Sequence, residues 1–261
     1  SEAEQAMELG CDVITEKPMA MSPAECQKMI DAASKAKKKL VVGFQYRYHP
    51  NTQIIKRAFD EGILGNIMFV KCRALRRRGI PNWGVFGRKE LQGGGPMIDI
   101  GVHVIEMAHY AIGAPKPVAA MGKTWTYMGN KPSDVMSMWP NWDWKTYTVE
   151  DLAIGQIRFN NGVLMQIEAS FAAHIEKDIW DFEVVGDKGG ARWETGTIFR
   201  DHAGTMVNCV PGFINNGGDF GVMFKAKLSN FVDGCLYNKP LLAPGEAGIA
   251  VQKILDGVHG L

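Results

Sequence analysis

The feature that most constrains this chain is its first 44 residues, which read as helix, strand, helix, strand and then change texture. Cys11 to Thr15 is a short β-rich apolar run after Gly10. Ser22-Pro23-Ala24-Glu25 then supplies an N-cap, a proline at the first helical position and a capping-box acid, so a helix should start at Ser22. Its apolar positions Cys26, Met29, Ile30 and Ala33 fall on one face, while Lys35, Lys37, Lys38 and Lys39 suit the negative end of the helix dipole. Leu40 to Phe44 is apolar without alternation, as expected of a parallel strand covered on both faces. Two strands cannot complete a doubly wound sheet. Neither G-x-G-x-x-G nor G-x-x-x-x-G-K-[ST] occurs in the chain. The expectation is the second half of a nucleotide-binding α/β unit without the half that cradles a pyrophosphate, Ser1 to Leu9 being the back half of an amphipathic helix. An exposed Leu40 to Phe44 strand with an open sheet edge would favour association.

Beyond Phe44 the pattern is that of an α+β unit. Asn51 to Glu61 is an amphipathic helix closed by Gly62, and Asn66 to Arg76 is a strand with Met68, Val70, Cys72 and Ala74 on one face. Asn160-Asn161-Gly162 joins Leu152–Phe159 to Val163–Phe171 in a hairpin. Further strands are expected at Ile179–Val185, Gly190–Phe199 and Gly204–Cys209, and helices near Met97–Ile112 and Val222–Cys235. A last helix from Glu246 places Ile249, Ile254, Leu255 and Val258 on one side, with no capping signal before Leu261. The expected architecture is an α/β half-domain over 1–46, a mostly antiparallel open sheet with helices on one face over 47–242, and a C-terminal helix over 243–261 that packs back on the first unit.

Composition limits the partners. The 261 residues are 46% hydrophobic and 22% charged, with a net charge of +1. No overall field draws such a chain to nucleic acid or an anionic membrane, and no run of about 18 apolar residues is present. A small molecule is the expected partner. Cys11, Cys26, Cys72, Cys209 and Cys235 are odd in number and contain no CxxC pair. They read as buried free thiols in a reducing, by default cytoplasmic, compartment. An export signal ahead of Ser1 would make that periplasmic or secreted.

Several residues could carry chemistry. Glu16-Lys17-Pro18 lies at the carboxyl end of the first strand, where open α/β sheets present reactive groups; the alternative is a solvated loop lysine. Gly93-Gly94-Gly95-Pro96 leads into a helix with Asp99 and His103 one turn apart. This is either an acid orienting a proton-exchanging imidazole or a local helix-stabilising contact. A metal is set aside, because His103, Glu106 and His109 do not form H-E-x-x-H. Arg76-Arg77-Arg78-Gly79-Ile80-Pro81-Asn82-Trp83 offers guanidinium donors and an indole face suited to a polyhydroxylated ligand. Trp139 to Trp144 either lines such a site or caps the sheet.

Taken together, Glu16-Lys17-Pro18, Gly43-Phe44-Gln45-Tyr46-Arg47-Tyr48 and Gly93-Gly94-Gly95-Pro96-Met97-Ile98-Asp99-Ile100-Gly101-Val102-His103 resemble the glucose-fructose oxidoreductase, inositol dehydrogenase and rhizopine-catabolism (Gfo/Idh/MocA) family in order and spacing. The resemblance implies a Rossmann-type domain followed by the open sheet, NAD or NADP as cofactor, and a carbohydrate or polyol substrate between them. It implies that Lys17 polarises the reacting hydroxyl or carbonyl, that His103 exchanges its proton and that Asp99 orients His103. It places Glu16, Lys17, Gln45 and Arg47 near the nicotinamide, and Arg78, Trp83, Asp151 and His174 on the substrate side. It also implies pairing of copies through the antiparallel sheet. Two other readings remain open at this point: NAD-dependent glycoside cleavage, and a non-catalytic ligand sensor of the same fold.

Overall fold

The computed structural model describes residues 1–214 and 218–260. The amino-terminal unit contains α1 (Glu2–Glu8), β1 (Val13–Thr15), α2 (Pro23–Ala36) and β2 (Leu40–Val42), and the two strands pair in parallel. Helix α2 starts where the sequence predicts, at Ser22, whose hydroxyl accepts from the Glu25 amide; Lys37 ends it in the left-handed conformation. Helix α1 falls within the stretch expected to be helical, Ser1 to Leu9. Ser1 is its N-cap, and Ser1 and Glu4 cap each other reciprocally.

The exposed strand was misplaced. Leu40, Val41, Val42 and Phe44 are all buried, because the Val42 amide donates to the Ala243 carbonyl and α7 (Gly245–His259) lies across β2. The half-exposed strand is β1, which among the described residues pairs only with β2.

A 3₁₀ turn over Gln45–Tyr48 and α3 (Pro50–Asp60) lead to β3 (Ile67–Leu75), a central strand of an eight-stranded sheet. After it come α4 (Lys89–Gln92), a π-helical turn over Met97–Gly101, α5 (Val102–Ala111), β4 (Pro117–Trp125), β5 (Leu152–Phe159) and β6 (Leu164–Ser170). The sheet continues with β7 (Ile179–Gly186), β8 (Gly189–Arg192), β9 (Thr197–His202) and β10 (Thr205–Cys209), before α6 (Phe220–Tyr237) and α7. The strand order is β10-β9-β8-β7-β3-β6-β5-β4, antiparallel throughout except for the parallel pair β3–β6. Val163, Met165, Ile167, Ala169 and Phe171 alternate into the core as the hairpin pattern requires.

Three local expectations change. The strand expected at Gly190–Phe199 is two, β8 and β9, separated by a turn in which the Gly196 amide donates to Trp193 and Gly196 adopts φ 64°. Met68 is 52% exposed instead of sharing the buried face of Val70, Cys72 and Ala74, because the register shifts between Ile67 and Phe69. The final helix does end on a cap, Gly260 in the left-handed region. Of the cysteines, all free, only Cys26 and Cys72 are buried; Cys11 and Cys209 are exposed and Cys235 lies between. Among the described residues no helix is long and apolar enough to cross a membrane.

Helix α7 ties the two units together. Gly248 lies against Met19 and Val42, and Gly257 against Ala120 of β4. The carboxyl ends of β1 and β2 therefore face the start of α5.

Candidate active site at the carboxyl ends of β1 and β2

Lys17 follows directly on β1, and its ammonium donates to both the main-chain carbonyl of Asp99 (2.7 Å) and the Asp99 carboxylate (2.9 Å). Both side chains are largely buried. The hydrogen bonds connect residues 82 apart in sequence and pin the first unit to the π turn. That turn is formed by the run after Gly93-Gly94-Gly95, where a β-carbon on Gly95 would stand 2.0 Å from the Glu150 carbonyl, so the close approach of loop and strand requires glycine.

Asp99 was expected to orient His103. Instead its carboxylate is held by Lys17, and among the described residues no hydrogen bond reaches the His103 ring. The imidazole is buried and packs edge-on against Tyr46, with centroids 5.1 Å apart, and beside Trp180. Its Nδ1 is buried without a partner. Burial, then the positive charges of Lys17, Arg76 and Lys227, hold the His103 pKa well below the ordinary value. The ring is a neutral proton acceptor near physiological pH.

Arg76 and Tyr46, already singled out within sequence motifs, belong to this cluster with Trp180 and Lys227, which the sequence does not reveal. Lys227 is 2% exposed; its ammonium sits 2.9 Å from Glu16 and 4.3 Å from the Phe224 ring centroid. Only its i, i+3 spacing with Phe224 on an amphipathic helix hinted at an inward position.

Gln45 is buried at the end of β2, and its side-chain carbonyl oxygen has no partner. Glu16 lies against Gly43, where a β-carbon would meet its carboxylate at 2.9 Å. Glu16, Lys17 and Gln45 thus gather at one place, with an unsatisfied acceptor able to take a carboxamide N–H. The residues present fit the nicotinamide end of a dinucleotide.

Two expected site residues are turned into the fold. Arg47 is buried, and its guanidinium donates to Glu106 (2.8 Å) and to the Leu242 carbonyl (2.7 Å), with Phe44 and Tyr110 beside it. Asp151 is fully buried, and its carboxylate accepts the amides of Tyr127, Met128 and Gly129. Both are structural anchors, because their polar groups are committed to the fold. Arg78 and His174 do meet, at 3.0 Å, beside a cavity described below. Trp83 stands outside, edge-on to Trp139, which in turn covers Arg76. Among the described residues no group of three or more His, Cys, Asp or Glu could hold a metal; Glu106 and His109 are bonded to Arg47 and Pro115.

Sequence comparison bears on what this geometry serves. A profile described as the GFO/IDH/MocA C-terminal domain matches residues 52–192, and one described as an oxidoreductase family with an NAD-binding Rossmann fold matches residues 1–44. The chain belongs to the GFO/IDH/MocA oxidoreductase family. It is 36% identical over 256 residues to the D-glucoside 3-dehydrogenase of Escherichia coli, an alignment covering 97% of this chain and 71% of that protein. It is 30% identical over 194 residues to the levoglucosan dehydrogenase of Pseudarthrobacter phenanthrenivorans, covering 70% of this chain and 49% of the relative. A solved levoglucosan dehydrogenase complex with NADH superposes over 99% of the chain and 73% of its own, with a TM-score of 0.83 at 23% identity. That likeness confirms the fold, a Rossmann-type half-domain followed by a mixed, mostly antiparallel sheet.

One contact behind the site predicts a pH effect. His259, near the end of α7, places Nδ1 3.0 Å from the Leu255 carbonyl and Nε2 3.1 Å from the Glu150 carboxylate. Two acceptors require both ring nitrogens to carry protons. Burial opposes the charge, but Glu150 and Leu255 outweigh it and raise the His259 pKa. A raised pKa means stability that is present in full below the unfolded value, about 6.5, and lost as pH rises through the folded one. Urea unfolding should show this loss in the native chain and not in His259→Gln. Equal pH dependence of the two would remove the pair from the account.

Proposed function

We propose that this family member is a nicotinamide-dependent dehydrogenase or reductase of a sugar, sugar derivative or cyclitol, with a pyranoside as the first class to try. The observation that carries the proposal is the pairing of a lysine pinned at the end of β1 with a neutral, buried imidazole whose Nδ1 has no partner. Oxidising an alcohol removes O–H and C–H together, so a proton acceptor must stand at the oxygen while hydride leaves carbon. A bound nicotinamide supplies hydride acceptance and donation. In this reading Lys17, fixed by Asp99, holds the reacting oxygen by hydrogen bonding and favours its negative character. His103 takes the hydroxyl proton, and in the reverse direction returns it. Asp99 is a positioning residue for Lys17. Gln45 and Glu16 orient the nicotinamide end. The identity to a glucoside dehydrogenase over nearly the whole chain supports the substrate class.

Because His103 titrates below its ordinary value, the acid limb of kcat/KM is expected below pH 6.5. A limb above 6.5 would mean that another group carries the proton. The proposal itself is tested by following nicotinamide reduction with a panel of pyranosides and cyclitols, using a version extended at its amino terminus to the length of the relatives. Reduction with at least one class is expected; none with any would leave the sensor reading.

We also propose that copies pair through the outer sheet face, where Met121, Trp125, Ile154 and Val185 are exposed. Light scattering should report a dimer or larger, and Met121→Lys with Ile154→Lys should shift it to monomer. A monomeric parent protein would contradict this.

A further inference from the structure

We infer that the cavity under the loop between β4 and β5 is a subsite for an anionic group, a carboxylate or a phosphate ester, carried on the sugar. The inference rests on the sugar-oxidoreductase reading and adds a substrate class to it. The cavity has a volume of about 200 Å³ and is walled by Arg78, Tyr127, Lys131, Trp142, Ala172 and His174, with two serines, Ser133 and Ser137, at its margin. None of Lys17, Asp99 or His103 lines it. It therefore receives a part of the ligand other than the reacting hydroxyl. Arg76, whose charge acts on His103 and Asp99, and Arg78, in the cavity wall, belong to one segment of chain.

Its lining contains two cations and no aspartate or glutamate. Among the described residues neither Arg78 nor Lys131 has a carboxylate within ion-pair distance. Arg78 is held in place: Nη1 donates to the Arg77 carbonyl at 2.7 Å and reaches the Ala173 carbonyl at 3.4 Å, and Nη2 donates to His174 Nε2 at 3.0 Å. A guanidinium has five N–H groups and accepts nothing. These three contacts leave at least two N–H groups free. A pre-oriented guanidinium with free donors is the group best matched to a carboxylate or phosphate.

The aromatic walls point to an organic ligand and not a free ion. The Tyr127 hydroxyl donates to the Ala172 carbonyl (2.9 Å) and the Trp142 indole N–H to the Gly129 carbonyl (2.8 Å). With their polar tips committed, both rings offer carbon surface, which suits the C–H face of a pyranose and gives nothing to an inorganic anion. The wall is also built in advance. Asp151 holds the amides of Tyr127, Met128 and Gly129 from beneath, so this buried acid acts on the subsite only by fixing its shape.

The test is calorimetric titration of the 261-residue chain with methyl glucoside, glucuronate, glucose 6-phosphate and inorganic phosphate. At least one acidic sugar should bind ten times or more tighter than methyl glucoside, and which of the two does so separates carboxylate from phosphate. Arg78→Gln should abolish that advantage; Lys131→Ala, at an exposed position that carries no packing, should reduce it several-fold in a chain that folds normally. Equal affinity for acidic and neutral sugars overturns the subsite while leaving the sugar reading intact. Inorganic phosphate binding as tightly as the acidic sugars, or an advantage untouched by both substitutions, also overturns it. Absence of any sugar binding would contradict the sugar reading as well.

Discussion

Lys17→Ala is expected to lower turnover by about 10²- to 10⁴-fold, the range for loss of a positioned proton-handling group. In the structure the ammonium holds Asp99 at both its main-chain and side-chain oxygens, so the substitution removes the charge at the reacting oxygen and also the clamp that fixes the π turn. A purely structural clamp would lower thermal stability and leave the rate per folded molecule nearly unchanged. Both side chains are largely buried, so losing the clamp is expected to lower stability as well, and the kinetic loss is read per folded molecule. Turnover at saturating sugar and nicotinamide, with unfolding followed in parallel, separates the two. Unchanged turnover would remove Lys17 from the mechanism.

Glu106→Ala is expected to destabilise the chain by about 3–5 kcal/mol, because it strands a buried guanidinium without its counter-charge. Arg47 and Glu106 are almost wholly inaccessible. Burial pushes the Glu106 carboxyl up to about 7 against the pull of Arg47, as expected of a carboxylate removed from water. Urea midpoints with an unchanged slope would report the loss directly. If Arg47 instead contacted the cofactor, the same substitution would leave stability unaltered and change nicotinamide affinity.

These two residues show what the sequence does and does not reveal. Lys17 was legible because its position follows from local signals: a short strand, the charged pair after it, and the rule that such strands present ligands at their carboxyl ends. Arg47 stands in an equally suggestive motif, yet its direction is set by Glu106, 59 residues away, and by the Leu242 carbonyl. No local pattern encodes that partner. Asp151 was misread for the same reason, its ligands being the amides of a loop more than twenty residues earlier.

The fold followed a similar division. Helix α2 and the β5–β6 hairpin were readable from caps and alternation, since one face of each is buried and the other is not. Strand β4 left no trace, because most of its residues are exposed as the sheet's edge, and period-two patterning exists only where one face is covered. The burial of Leu40 to Val42 depended on a strap from Ala243 and a helix near the far end of the chain. Lys227 and Trp180 joined the site through tertiary packing alone. His103 was recognised, but not its neutrality, which comes first from burial and then from three cations brought together by different elements.

The most direct test of the central claim is to incubate the amino-terminally extended protein with methyl glucoside and oxidised nicotinamide and to identify the products by NMR. The account predicts a keto-glycoside with its glycosidic bond intact, formed in step with reduced nicotinamide and lost in Lys17→Ala. Free methanol and glucose without net nicotinamide reduction, or unaltered product formation by the lysine variant, would contradict it.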